Sequence, residues 1–148
     1  ASGLVPVNYK PKGAASPIFW YPYERTRAAL EKMRHVDEWD SAEGLRLAFT
    51  DPTTGDSPIR TMGAFMQLLP SGFNGTDIRS TDGTVYCVVE GSGTVKVGDQ
   101  QWDVKPRDVF VVPSWMWHSF AASDDLILFS FSDKPLQQKL GFWREQRK

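Results

Sequence analysis

The stretch from Gly72 to Gly93, GFNGTDIRSTDGTVYCVVEGSG, has the rhythm of a metal-binding strand pair in a β-barrel: an entry glycine, a small-residue turn, an apolar strand and a Gly-rich hairpin. Where such a strand would offer imidazoles, this one offers Ile78 and Ser80, and Thr84 stands where a carboxylate would. Iron, manganese, nickel or zinc in such a barrel needs several nitrogen and oxygen donors converging from facing strands. Ile78 donates nothing, and Ser80 and Thr84 are neutral hydroxyls, poor ligands near neutral pH. His118, in PSWMWHSF, is the remaining donor of the pattern, and one imidazole does not hold a metal at useful affinity. Ile78, Ser80, Thr84 and His118 therefore read as vestigial metal positions. No catalytic, cofactor-binding or metal-ligating residue is expected.

His118 has two readings. It either hydrogen-bonds a small molecule in the barrel mouth, with Trp117 beside it, or is a satisfied, partly buried core histidine. The second is favoured, and the WMWH aromatics read first as packing. Alternation along a strand should turn Asp77 and Arg79 away from the interior, which gives Arg79 an ion-pair or interface role. Arg107 reads as a solvated turn residue, Cys87 as a buried apolar filler, and His35 as a surface residue near a helix C-terminus. Neither a phosphate loop nor a serine nucleophile elbow is present.

These residues need a scaffold, and the chain is long enough to supply one. Its 148 residues, 41% hydrophobic and 24% charged, fit one globular domain. A net charge of −1 points away from nucleic acid and anionic membranes, and no apolar run is long enough to span a bilayer. A single cysteine rules out an internal disulfide and fits a reducing cytoplasm. Residues 1–58 read as an N-terminal arm containing Ile18, Phe19, Trp20, Tyr21 and Tyr23, then a helix over YERTRAALEKMRHVDEW burying Ala28, Leu30, Met33 and Trp39, then a turn-rich loop. Residues 59–148 read as short strands: TMGAFMQLL, TVYCVV, a hairpin turning at Gly98-Asp99, DVFVV and LILFSF. That spacing argues a sandwich or barrel. KPLQQKLGFWREQRK reads as a closing helix with Leu136, Leu140 and Trp143 on one face.

The spacing resembles the cupin signature, whose first motif is G-x5-H-x-H-x3,4-E-x6-G and whose second is G-x5-P-x-G-x2-H-x3-N. Gly72, positions 78, 80 and 84, and Gly91 reproduce the first; Pro113 and His118 match the second, with Arg107, Trp115 and Ala122 replacing its two glycines and its asparagine. The implied fold is mainly β, a jelly-roll (double-stranded β-helix) barrel with an N-terminal arm and helix and a short C-terminal helix. Five segments in order, SPIFWYPYERTRAALEKM, GAFMQLLPSGF, RSTDGTVYCVVEGSG, PRDVFVVPSWMWH and LILFSFSDKPLQQKLGFWREQR, look like the C-terminal half of the gentisate 1,2-dioxygenase family, a group that includes salicylate and 1-hydroxy-2-naphthoate dioxygenases.

That resemblance implies a bicupin parent. Its Fe(II) would sit on histidines of the N-terminal cupin, and none would be expected in this domain. The reaction would be O2-dependent cleavage of an aromatic acid, gentisate to maleylpyruvate. This barrel would be structural and inactive alone, with two partners: the N-terminal cupin of its own subunit, and further copies in a dimer or tetramer. A start at Ala1 fits a chain cut from a longer one. The competing reading is a free-standing, non-catalytic cupin that binds a small aromatic ligand.

Overall fold

The computed structural model describes residues 20–36 and 38–148. Ile18 and Phe19 of the expected arm lie outside the described residues. In chain order the elements are α1 (Tyr23–Val36), β1 (Leu45–Ala48), β2 (Gly63–Leu69), β3 (Ile78–Ser80), β4 (Thr84–Glu90), β5 (Gly93–Val97), β6 (Gln100–Val104), β7 (Val109–Val112), β8 (His118–Ala122), β9 (Leu126–Ser132), α2 (Lys134–Lys139) and β10 (Glu145–Arg147). Two five-stranded antiparallel sheets, β1-β2-β9-β4-β7 and β10-β3-β8-β5-β6, face each other as a jelly roll. No helix among the described residues is long and apolar enough to cross a membrane.

Period-two patterning builds the interior. Along β4, Thr84, Tyr86 and Val88 point inward while Val85, Cys87 and Val89 point outward. Leu69, Val88, Val95, Val104, Leu126 and Leu128 fill one end of the barrel, with Tyr86, Phe110 and Phe120 stacked edge and face among them. Burial pushes the Tyr86 hydroxyl up to about 12, so it stays neutral. A second cluster lies behind the first sheet, where α1 sets Leu30 onto Leu45, Met66, Leu68 and Ile127. The helix carries Glu24 in its first turn and Arg34 and His35 in its last, the order its dipole favours. Arg34 pins it to Asp125 at 2.6 Å.

Several expectations are corrected. The first helix stops at Val36, so Trp39 lies beyond it and is exposed; Ala28 is exposed too, because α1 fully buries only Leu30. The closing helix is one short piece, α2. Leu140 then points into solvent, and Glu145–Arg147 pairs with β3 as a strand. Cys87 is half-buried on the outer face, not a core filler. Between the helix and the loop that starts at Thr50 lies a strand the sequence reading did not assign, β1, which pairs with β2.

The retained and the replaced motif glycines have one explanation. Gly91 has φ 81°, and a Cβ there would stand 2.0 Å from the Asp125 carbonyl oxygen, so only glycine fits. Arg107 and Trp115 keep the left-handed backbone of the glycines they replace, with φ 78° and 62°. A left-handed non-glycine residue costs about 1–2 kcal/mol, and glycine returns about 0.5–1 kcal/mol of that through unfolded-state entropy. Arg107→Gly is therefore expected to stabilise the protein by up to about 1 kcal/mol, raising Tm by about 2–4 °C. Trp115→Gly should be close to neutral, because it also gives up about 0.5–1 kcal/mol of stacking on Arg79. Scanning calorimetry of the two variants checks both, and a fall in Tm for Arg107→Gly would refute the strain argument.

Candidate functional site

The polar end of the barrel gathers the predicted positions. Ile78 on β3 and His118 on β8 are directly paired, Ser80 follows two residues along β3, and Thr84 opens β4. All four line one cavity, together with Asp82, Tyr86, Arg46, Glu43 and Trp143. Its free space is about 10 Å³. That is room for one water molecule. Trp117 does not line it. Its indole lies outside the barrel, stacked on the Arg79 guanidinium at 4.4 Å, with Trp115 on the same guanidinium at 4.3 Å. His118 and Trp117 therefore do not share this cavity. Arg79 donates from Nε to Gln146 Oε1 at 2.9 Å, so its role is to bind β3 to β10 and to the loop before β8.

Asp82 organises the cavity. It sits in the Asp82-Gly83 turn between β3 and β4 and is almost fully buried. Trp143 Nε1 donates to its Oδ1 at 2.8 Å, and Thr84 Oγ1 donates to its Oδ2 at 3.3 Å. Burial alone would push the carboxyl up. Hydrogen bonds from Ser80, Trp143 and Ser132 outweigh that and hold it below the usual carboxylate range. Ser80 and Thr84, two of the predicted positions, thus face a carboxylate supplied by the protein itself. Their hydroxyls, poor metal ligands, are good donors to it.

His118 is buried, and desolvation pushes its imidazole down, so it is neutral near pH 7. Its Nδ1–H donates to the Met116 carbonyl at 3.1 Å, which leaves Nε2 as the unprotonated nitrogen. Phe120 packs edge-on against the ring at 5.5 Å. Deeper in the wall, Arg46 pairs with Glu43 at 3.0 Å and lies 4.1 Å from the centre of the Phe65 ring, and Gln67 Nε2 donates to the Glu43 carbonyl at 2.9 Å.

Fe(II) does not fit this donor set. His118 offers one nitrogen, Ile78 offers nothing, and the carboxylates of Asp82, Glu43 and Glu145 are already engaged by Trp143 and Thr84, by Arg46 and by Arg147. Among the described residues no three His, Cys, Asp or Glu side chains are grouped to hold a metal ion. The arrangement instead seals the mouth. Lys134 Nζ lies 4.4 Å from the Trp143 ring centre, β10 covers β3, and Arg147 reaches Asp40 at 2.8 Å. Sequence reasoning missed Asp82, Trp143, Arg46 and Glu43. The one signal for Asp82 was its place between Ser80 and Thr84.

Acid should unfold the domain in two stages. A depressed folded pKa means the unfolded chain binds more protons, so stability falls as pH falls through that window. His118 loses its contribution on acidification from about 6.5, the ordinary histidine value, and Asp82 from about 3.9. His118→Gln should flatten the upper stage in urea unfolding followed across pH. Asp82→Ala should cost about 3 kcal/mol at pH 7, since it leaves several donors unpaired. A loss under 1 kcal/mol, or an unchanged upper stage, would contradict this account.

Residues 64–130 match the family described as Cupin domain. The chain is 49% identical, over 99% of its length, to gentisate 1,2 dioxygenase 1 of Aquipseudomonas alcaligenes, and spans 42% of that protein. It is 34% identical, over 95% of its length, to the 5-aminosalicylate 1,2-dioxygenase of a Comamonas species, and spans 38% of it. A salicylate 1,2-dioxygenase from Pseudoaminobacter salicylatoxidans, solved with gentisate, superposes with a TM-score of 0.86 at 30% identity, covering 100% of this chain and 42% of that one.

Proposed function

Since the chain is a cupin domain homologous to the gentisate and salicylate 1,2-dioxygenases, we propose that it is the C-terminal barrel of a bicupin subunit. That subunit cleaves gentisate to maleylpyruvate with Fe(II) and O2. The iron and the aromatic acid belong to the N-terminal cupin, and this barrel has a structural and oligomerising role, within a cytoplasmic dimer or tetramer. The arm and the helix before β1 link the two barrels, and the barrel proper runs from β1 to the C-terminal strand, so it starts before residue 59.

The observation behind this reading is the cluster around Asp82. Of the positions that would hold a metal, Ser80 and Thr84 donate to Asp82 and His118 donates to the Met116 carbonyl, and Trp143 closes over them with its own bond to Asp82. The relatives are more than twice the length of the chain, which leaves them a second domain for the chemistry. A free-standing barrel binding an aromatic acid would need a pocket of about 300 Å³ or more, far above the space beside His118.

The test is a ring-cleavage assay on residues 1–148 with added Fe(II), O2 and gentisate, followed by maleylpyruvate absorbance, with iron measured after desalting. The expected result is no product above the protein-free control and iron well below one per chain. Turnover with stoichiometric iron lost on His118→Ala would place the chemistry in this barrel and overturn the proposal.

A further inference from the structure

The outer faces of the two sheets differ in character. Behind β8, β5 and β6 the outward positions are Thr94, Lys96, Gln101, Asp103 and Ser119, a solvated surface tied by a Thr94–Asp103 hydrogen bond of 3.1 Å. Behind β9, β4 and β7 they are Phe129, Phe131, Val85, Cys87, Val109 and Val111. The register lines these up in two rows, Phe131–Val85–Val111 and Phe129–Cys87–Val109, with no charge in either. Val109 is 64% exposed, Val111 54% and Phe131 40%. The same sheet continues under α1, where Leu68 and Ile127 are fully covered. An apolar sheet back half covered and half bare is a contact surface, and among the described residues β7 is the edge strand at its margin.

The chain also enters the fold along this surface. Tyr21 packs edge-on against Phe49 at 5.3 Å, Phe49 lies 6.4 Å from Phe129, and Phe129 lies 6.4 Å from Phe131. Trp20, one residue earlier, is 74% exposed. The aromatic series therefore leads from the N-terminal side of the chain onto the bare rows.

We propose that this bare half-sheet is the seat of the second barrel of a longer subunit, packed against it through an apolar sheet face of its own. The inference rests on the bicupin reading above and assigns the surface where the two barrels meet. The chain spans 42% of the Aquipseudomonas relative, so the missing length is larger than the chain itself. A barrel tethered on the side where Trp20 enters acts at an effective concentration in the millimolar range, which favours it over a second copy arriving from solution. An inter-domain contact of about 600–1,500 Å² is the usual size, and it would cover both rows and the β7 edge.

Cys87, the single cysteine of the chain, stands in the middle of the second row and reports on coverage. The experiment alkylates it with N-ethylmaleimide in residues 1–148 and in the product of the complete reading frame that contains them. Labelling is read by peptide mass at several protein concentrations. Labelling should be slower by at least ~10-fold in the longer protein, equally at every concentration. Val111→Lys, an exposed change, should restore the rate there and leave the Tm of residues 1–148 unchanged. Equal rates in the two proteins overturn the assignment. Protection that disappears on dilution overturns it as well, because a second copy then covers the face. A reading frame without a second barrel removes both the occupant and the bicupin reading; a bicupin frame with Cys87 unprotected removes only the surface.

Discussion

A carboxylate inside a β-barrel is a liability unless donors surround it, and in this protein the Asp82 carboxylate sets the terms for the polar end of the fold. Desolvation works against its charge, so β3, β4, β9 and the chain around Trp143 must each deliver a donor. Removing one side of such a cluster costs more than the cluster contributes, because the remaining groups are left buried without partners. That asymmetry keeps Ser80, Thr84 and Trp143 together. The strand geometry aims these side chains at one central point, and the anion placed there is held by several donors.

Backbone geometry is the second constraint. The turns of this barrel require left-handed residues whichever side chains are present, and the chain meets that demand in two ways. At Gly91 a neighbouring carbonyl leaves no room for a Cβ. Arg107 and Trp115 show that where space is open the same conformation accepts a large residue at a cost of about 1–2 kcal/mol. At Trp115 the cost is offset by placing an indole on Arg79, which also ties the rim loop to β10 through Gln146.

Most strands were legible because their signals are local. Alternation in TVYCVV, the Gly98-Asp99 turn and the apolar LILFSF each fix an element within a few residues. The elements that were misread depend on distant partners. β1 and β10 carry weak patterns of their own, LRLA and EQR, and are strands only because β2 and β3 offer them an edge. Leu136, Leu140 and Trp143 suggested one helical face. The chain leaves the helix instead, because Trp143 has a hydrogen bond to make in the barrel mouth. That Ile78, Ser80 and Thr84 share one end of the barrel could be read from spacing alone. The hydrogen bond that closes that end could not, since Asp82 and Trp143 are 61 residues apart and no short pattern joins them.

That separation also orders events in time. A chain made from its N-terminus presents the Asp82 turn long before Trp143 exists. At about 5–20 residues per second the interval is roughly 3–12 s, ample for the β4–β7 and β4–β9 ladders to form around an open mouth. During that interval the carboxylate is in water, where its charge costs nothing. Trp143 and β10, which close the mouth, are made last, so on a growing chain the cover over Asp82 arrives together with the hydrogen bond that stabilises its charge.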